Sequence, residues 1–504
     1  MNLEHPEIER FEPELRRLIT IAFEPPSLVP TSAILTRRWA PSDRSRRAVV
    51  EALSAYRDAQ EAIAARLISI ETTVGALSGE LRTARQKRDR PTERALTDKI
   101  DTLRRRQLIL RRIVDAIVYV ACEGYVWFIR RLLLQDNPLP IAPRTLAPLI
   151  TQATRLNEKD PCTVYLICDL TTTAQIGDLI EVSFDARLRK RVRLVELKEG
   201  KVNRILMEKL GAVTGPENTL SIRETMGTEA AKQAERMLRQ RARMQAVADI
   251  ARKRQGIDPR TGAMLSRSKD GPDQPGYHAD LRLLIEKAAA NGQHLIKVDG
   301  CLTLAAARVD PSGEPSHVSA IHSLFHFKDR SRPCLLPNDP AAEIEALRKE
   351  PPVVDLVEQN LLANWSSPLF AWGNLDRVCD LLTGRIRVYA QLDTVAFMKR
   401  AAEHGVKMQW VTGRRADWLK KTGGTATIPG SPHASAIRVE LPDGTRCELL
   451  SGGLARIFLE LARPEGLIRM LLASSEDVRR IQKHVASGDG RVRGALAGEN
   501  RCLT

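Results

Sequence analysis

No two of the eight cysteines (Cys122, Cys162, Cys168, Cys301, Cys334, Cys379, Cys447 and Cys502) are spaced as a C-x-x-C pair. That absence excludes a zinc ribbon, and in a chain of 504 residues such scattered thiols argue against a disulfide framework and for a reducing compartment. The opening residues, Met1-Asn2-Leu3-Glu4-His5-Pro6-Glu7, lack the basic-then-apolar pattern of a secretory signal. A long uncharged apolar run is also missing. The most apolar stretch, Ile113 to Leu134, holds Asp115, Glu123, Arg130 and Arg131, which would be costly to bury in hydrocarbon. The expectation is a cytoplasmic protein with no membrane association, and with Ile113 to Leu134 as a buried helix.

Acid is in deficit. There are 78 Lys and Arg against 62 Asp and Glu, a formal charge of +16, so the field around the protein attracts polyanions and nucleic acid is the first partner to consider. The length predicts two to four folding units at about 150 residues each.

From Arg46 to Arg88, apolar residues recur at spacings of three and four (Leu53, Tyr56, Ile63, Leu67, Ile70, Val74, Leu77, Leu81), which predicts a helix with one narrow apolar seam. The run Lys87 to Thr92 contains Pro91 and should break it. A second helix begins near Thr92 with Leu96, Ile100, Leu103, Leu110 and Val114 on its stripe, giving a coiled-coil hairpin over 46–112 behind an N-terminal segment, 1–45. Its expected role is homo-oligomerisation or docking of a partner protein in preference to direct DNA contact.

The pattern then becomes β-rich. Thr163 to Cys168, Asp178 to Val182 and Val192 to Lys198 read as three short strands of an antiparallel meander, with Asp185 to Arg191 as the second turn. A long basic helix follows from Thr228 to Gln255, then a Gly/Pro/Asp-rich loop from Gly256 to Gly276. A helix over Ala279 to Ala290 leads to a further strand at Leu295 to Val298. Beyond Asp310, helices (Leu375 to Leu382, Thr394 to His404) alternate with strands (Arg387 to Leu392, Ala436 to Leu441) without a repeat, predicting an α+β accessory domain over 311–504.

In the third strand, the two-residue period puts Val192, Leu194, Glu196 and Lys198 on one face. A carboxylate and an ammonium on an otherwise apolar strand face need a reason to be there, because unpaired buried charge costs several kcal/mol. A divalent metal on Glu196, with Lys198 beside it to orient or deprotonate water, is one such reason. A hard cation needs more oxygen, and Asp178 on the neighbouring strand, after the permissive Gly177, is the natural second carboxylate, with the backbone carbonyl of Leu197 as a third ligand. Such a set suits phosphodiester hydrolysis.

Gly-Asp, a variable hairpin, then Glu-x-Lys followed by Glu199-Gly200-Lys201 resembles the PD-(D/E)xK nuclease superfamily over about 113–300, with Gly177 where the name-giving proline would stand. The resemblance implies a restriction-endonuclease-like αβββαβ core over 113–310 and an endonuclease dependent on Mg²⁺ or Mn²⁺ that cuts DNA or sometimes RNA. Residue by residue, Asp178 matches the first acid, Glu196 the second and Lys198 the lysine. It also offers assisting candidates: Glu123 on the preceding helix, Gln175 before the Gly-Asp turn, and Gln233 and Arg236 on the basic helix. Gln175 could instead cap its loop, and Glu123 could simply pair with a nearby cation. Lys232, Arg236, Arg239 and Arg243 are the candidate phosphate contacts. The biological setting suggested by such an architecture is bacterial antiviral defence or DNA processing.

A rival reading is a catalytically silent nucleic-acid-binding or scaffold subunit that keeps the nuclease-like fold. Two other constellations carry less. His322 and His326 are spaced i and i+4, with His317 upstream, but no HExxH glutamate accompanies them. Cys447, near Ser451-Gly452-Gly453, has no placed His-Asp partner.

Overall fold

A computed structural model describes residues 6–23, 42–122, 126–134, 140–197, 205–206, 217–253, 255–259, 264–266, 276–309, 353–362, 375–411, 413–415, 436–473, 475 and 479. The chain is a mixture of helices and small antiparallel sheets. It divides into two compact units, one of residues 18–265 and the other of residues 1–17 and 266–504. The dividing point between Leu265 and Ser266 lies inside the 113–310 segment that the sequence suggested as one domain. Among the described residues, no helix is long and apolar enough to cross a membrane.

The unit of residues 18–265 is organised by a helical hairpin. Its first leg runs over Asp43–Lys87, and Ser42 starts it by accepting the Ser45 amide on its hydroxyl. The second leg, Arg90–Ala121, has Asp89 as N-cap and Pro91 in its first turn, where the missing amide costs nothing. The expected break at Lys87 to Thr92 is therefore a two-residue turn. The second leg is unbroken through Ile113, so the expected division between hairpin and core at 112/113 falls within one continuous helix. Burial explains that continuity. Almost every residue from Ile109 to Cys122 is buried, so the lower part of the leg is itself core. No residue from Arg90 to Thr102 is buried, and only the seam residues Ile70, Val74, Leu77 and Ala84 are buried opposite.

Three strands, β1 (Thr163–Ile167), β2 (Leu179–Phe184) and β3 (Lys190–Val195), form the predicted meander in the order β1-β2-β3. Leu166 pairs with Ile180 and Ile180 with Leu194, so one apolar row crosses all three strands. The first hairpin leg and the helix Pro143–Asn157 pack on β1. They also close its outer edge. Gln60 donates its Nε2 to the Tyr165 carbonyl at 3.0 Å and accepts the Ile167 amide at 2.7 Å, Asn157 accepts the Tyr165 amide at 2.8 Å, and Arg57 donates to the Thr163 carbonyl. Side chains thus already engage the Thr163 carbonyl, both main-chain groups of Tyr165 and the Ile167 amide, which blocks this edge to a further strand.

The basic helix, Thr228–Lys253, buries Ala230, Ala231, Ala234 and Met237 against Leu206 and against Ile222 of the helix Glu217–Met226. After it come two short paired strands, β4 (Gln255–Ile257) and β5 (Met264–Ser266).

In the other unit, β6 (Gln293–Val298), β7 (Leu302–Arg308), β8 (Val353–Asp355) and β9 (Ile386–Leu392) form an antiparallel sheet in the order β6-β7-β9-β8, with the helix His278–Asn291 packed on it. The strand expected at Leu295 to Val298 thus exists, but it pairs with β7 and not with the meander. A second sheet, β10 (Lys407–Trp410), β11 (Ala436–Glu440) and β12 (Arg446–Leu450), is flanked by the helices Thr394–Glu403 and Ser451–Leu459. These elements agree with the α+β expectation for this part of the chain. The histidines His317, His322 and His326 lie outside the described residues.

Candidate active site at one end of the meander

Three strand ends meet on one side of the sheet. Cys168 and Asp169 follow β1, Gly177 and Asp178 precede β2, and Glu196 and Leu197 follow β3. An antiparallel meander requires this, because the end of β1 and the start of β2 are neighbours, as are the start of β2 and the end of β3. Asp178 is bonded to both sides. Its carbonyl accepts the Cys168 amide at 3.0 Å, and its amide donates to the Val195 carbonyl at 2.9 Å. Gly177 makes this approach possible. It has φ of +81°, and a Cβ there would stand 3.2 Å from the Val195 carbonyl oxygen.

β3 ends at Val195, one residue short of Glu196, so the strand alternation that grouped Glu196 with Lys198 does not extend to them. The Asp178 side chain continues the ladder in its place: Oδ2 accepts the Leu197 amide at 2.5 Å. The two acids named from the sequence, Asp178 and Glu196, are therefore brought together across the β2–β3 ladder. One carboxylate oxygen of Glu196, Oε2, is shut off from solvent. Lys198 and Glu123 lie outside the described residues.

A third acid belongs to the same place. Burial pushes the half-buried Asp169 carboxyl up from its ordinary value, the Arg111 guanidinium opposes that shift, and the charge of Glu196 reinforces it. The buried Cys168 thiol senses all three carboxylates. It is held well above the ordinary thiol range by burial first, then by Asp169, Asp178 and Glu196. Sequence reasoning passed over Asp169. The signal was present in the meander itself, because the residue after β1 must lie near the residue before β2.

The floor beneath these strand ends is a polar knot. Asp115, on the second hairpin leg, is buried and accepts Arg112 Nη1 at 2.9 Å, the Thr172 amide at 2.8 Å, the Thr172 hydroxyl at 2.5 Å and the Thr173 hydroxyl at 2.9 Å. Arg111 donates from both Nε and Nη2 to the Thr171 carbonyl. Buried charges persist when their donors and acceptors are matched in this way, and the knot fixes the loop that leads into Gly177 and Asp178. Gln175 is part of the same loop. It is buried, its side-chain carbonyl accepts the Leu134 amide at 2.9 Å, and its own amide donates to the Leu132 carbonyl at 2.8 Å.

The remaining sequence candidates sit on the helix Thr228–Lys253. Arg236 and Arg243 are exposed. Lys232 pairs with Glu229 at 2.7 Å and Arg239 with Glu235 at 3.7 Å, all on the solvent side. Gln233 is half-buried beside the Ala234 seam. Glu181, three residues after Asp178, belongs to a different row. It bonds to the Tyr165 hydroxyl across β1 and faces Arg193 at 4.0 Å across β3.

Among the described residues, no group of three or more His, Cys, Asp and Glu side chains is arranged to hold a metal ion. Asp178 and Glu196 could offer two carboxylates, and a backbone carbonyl such as that of Leu197 could offer a third oxygen. The charge of Glu196 bears on Asp169, against the opposing charge of Arg111, and a divalent ion at this sheet end would relieve the repulsion between those two carboxylates. No protein-family model, curated protein or solved structure matches the chain.

Proposed function

We propose that this protein is a metal-dependent nuclease whose active site is the acidic end of the meander, with DNA a better fit than RNA. The observation that carries the reading is the hydrogen bond from the Leu197 amide to Asp178 Oδ2, which joins the Gly-Asp turn to the Glu-x-Lys segment. A divalent cation, when bound, supplies Lewis-acid polarisation of a phosphoryl oxygen and neutralises developing negative charge. The protein's own groups do the rest. Asp178, fixed to the main chain on both sides, and Glu196, with one oxygen shielded from water, provide hard oxygen ligands. Lys198 takes the role that the resemblance implies, holding or removing the proton of the attacking water. The exposed arginines of the helix Thr228–Lys253 and the overall charge of +16 supply a field that attracts the polyanionic substrate.

The restriction-endonuclease-like core is part of this proposal. The meander, the preceding helix and the following basic helix support it. A fourth strand on the meander is not found among the described residues.

The test is incubation of the purified protein with supercoiled plasmid, single-stranded DNA and RNA in Mg²⁺ or Mn²⁺, beside Glu196→Ala and Lys198→Ala. Cutting that needs the metal and disappears in both variants supports the reading. Binding without cutting, equal in all three proteins, overturns it in favour of the silent nucleic-acid-binding subunit.

A further inference from the structure

The far end of the helical arm concentrates positive charge. Between Arg82 and Arg94 stand six basic residues, Arg82, Arg85, Lys87, Arg88, Arg90 and Arg94, against two acids, Asp89 and Glu93. Both acids are already engaged. Asp89 caps the second leg by accepting the Thr92 amide, and Glu93 pairs with Arg85 at 3.0 Å. That leaves Arg82, Lys87, Arg88, Arg90 and Arg94, all exposed, with no acidic partner among the described residues. Further down the arm the signs are mixed, with Arg104 paired to Glu71.

Arg88 ends the first leg in the left-handed conformation, φ +58°, with its amide bonded to the Arg85 carbonyl at 3.1 Å. Glycine adopts that conformation without steric cost and is the usual residue there. Here the outermost position of the arm instead carries a guanidinium. The arm is also long. Its sparsely buried part, from Leu67 to the turn, is about 30 Å at 1.5 Å per residue.

We propose that the tip of this arm, Arg82 to Arg94, is a nucleic-acid-binding surface that grips the phosphate backbone of a duplex. Four of the five unengaged groups are arginines, whose planar fork matches phosphate oxygens. The tip has no exposed large apolar side chain to enter a lipid layer or anchor a protein partner. Two helices side by side are roughly 20 Å across, wider than the ~12 Å major groove, so the contacts fall on phosphates and are independent of base sequence. This goes beyond the nuclease reading and does not depend on it, because it concerns binding in the absence of metal.

The test uses the full chain in EDTA, so that no cutting can intervene. A fluorescent 30-base-pair duplex is titrated by anisotropy over a salt series, with wild type beside a variant carrying Arg82→Gln, Lys87→Gln, Arg88→Gln, Arg90→Gln and Arg94→Gln. The expected result is at least a tenfold loss of affinity in the variant, and a plot of log affinity against log salt that is shallower by about 2 to 4, at roughly 0.9 for each phosphate that the variant leaves unneutralised. A duplex of unrelated sequence should behave in the same way, and the helical circular dichroism should be unchanged. Should the fivefold variant misfold, Arg88→Gln with Arg94→Gln must still weaken binding severalfold. Unchanged affinity and slope overturn the proposal. So does a wild type that binds no duplex, or a variant that binds DNA normally but has lost self-association or sedimentation with anionic vesicles.

Discussion

The Asp178 carboxylate and the Leu197 amide are 2.5 Å apart, so one of the two sequence-named acids is bonded to the segment that carries the other. This separates charge from shape at Asp178. Asp178→Asn keeps an oxygen that can accept the Leu197 amide but removes the charge. Its stability should stay within about 0.5 kcal/mol of wild type, with metal-dependent cutting abolished. Asp178→Ala should lose the cutting and also about 2 kcal/mol, the usual cost of losing a hydrogen bond to a charged group. Urea titration and plasmid cleavage on the same preparations check both. Equal stability of the two variants would mean that the bond does not hold the turn.

Metal binding is measurable without turnover. A cation that binds the folded protein and not the unfolded chain stabilises it by about 2.7 kcal/mol at a hundredfold excess over Kd. Wild type should therefore melt at a higher temperature in Mn²⁺ or Mg²⁺ than in EDTA, and Glu196→Ala should show no such gain. A gain of the same size in the variant would place the ion elsewhere.

The Asp115 knot is a stability element of the same unit. Asp115→Ala leaves Arg112 buried without its carboxylate and removes the acceptor for Thr172 and Thr173. The expected loss is about 3–5 kcal/mol, measured by urea denaturation. A loss below 1 kcal/mol would show that water replaces the carboxylate there.

His278, in the other unit, sets an acid-side limit. Burial, followed by the nearby Arg282 charge, pushes its imidazole down to about 4 from an ordinary value of 6.5. The unfolded chain then binds the extra proton between these two values and the fold does not. Stability is therefore fully present above pH 6.5 and falls as the pH drops through the window, by about 3 kcal/mol in total. His278→Gln should flatten the dependence of the urea midpoint on pH between 4.5 and 7. A slope identical to wild type would mean that His278 takes up its proton alike in the folded and the unfolded chain.

Arg88→Gly separates stability from binding at the arm tip. Relief of the left-handed strain should stabilise the protein by about 1 kcal/mol, while duplex affinity falls. Thermal melting and anisotropy on one preparation check the two opposite signs. A destabilised variant would indicate that the Arg88 side chain holds the turn.

Local pattern was legible where one element sufficed. The seam Leu53 to Leu77 and the breaker at Pro91 foretold the hairpin, and the β-rich runs foretold all three meander strands, because spacing and turn chemistry act over a few residues. Strand ends were less legible. Glu196 lies beyond β3 because the Asp178 side chain takes over the ladder, a substitution that depends on residues 19 positions apart in sequence. Asp169 was missed because its acidity matters only once β1, β2 and β3 are laid side by side.

The sequence by itself determined which residues could be helix, strand and turn, since composition, period and the φ tolerance of Gly177 are properties of the local chain, and it offered Asp178 and Glu196 as candidate acids. The tertiary structure decided what those acids meet. It set Asp169 beside them, fixed Gln175 into its loop through Leu132 and Leu134, and assigned the strand Gln293–Val298 to a different sheet. Burial, like-charge repulsion and strand pairing are relations between segments far apart in sequence, and they acquire values only when folding brings those segments into contact.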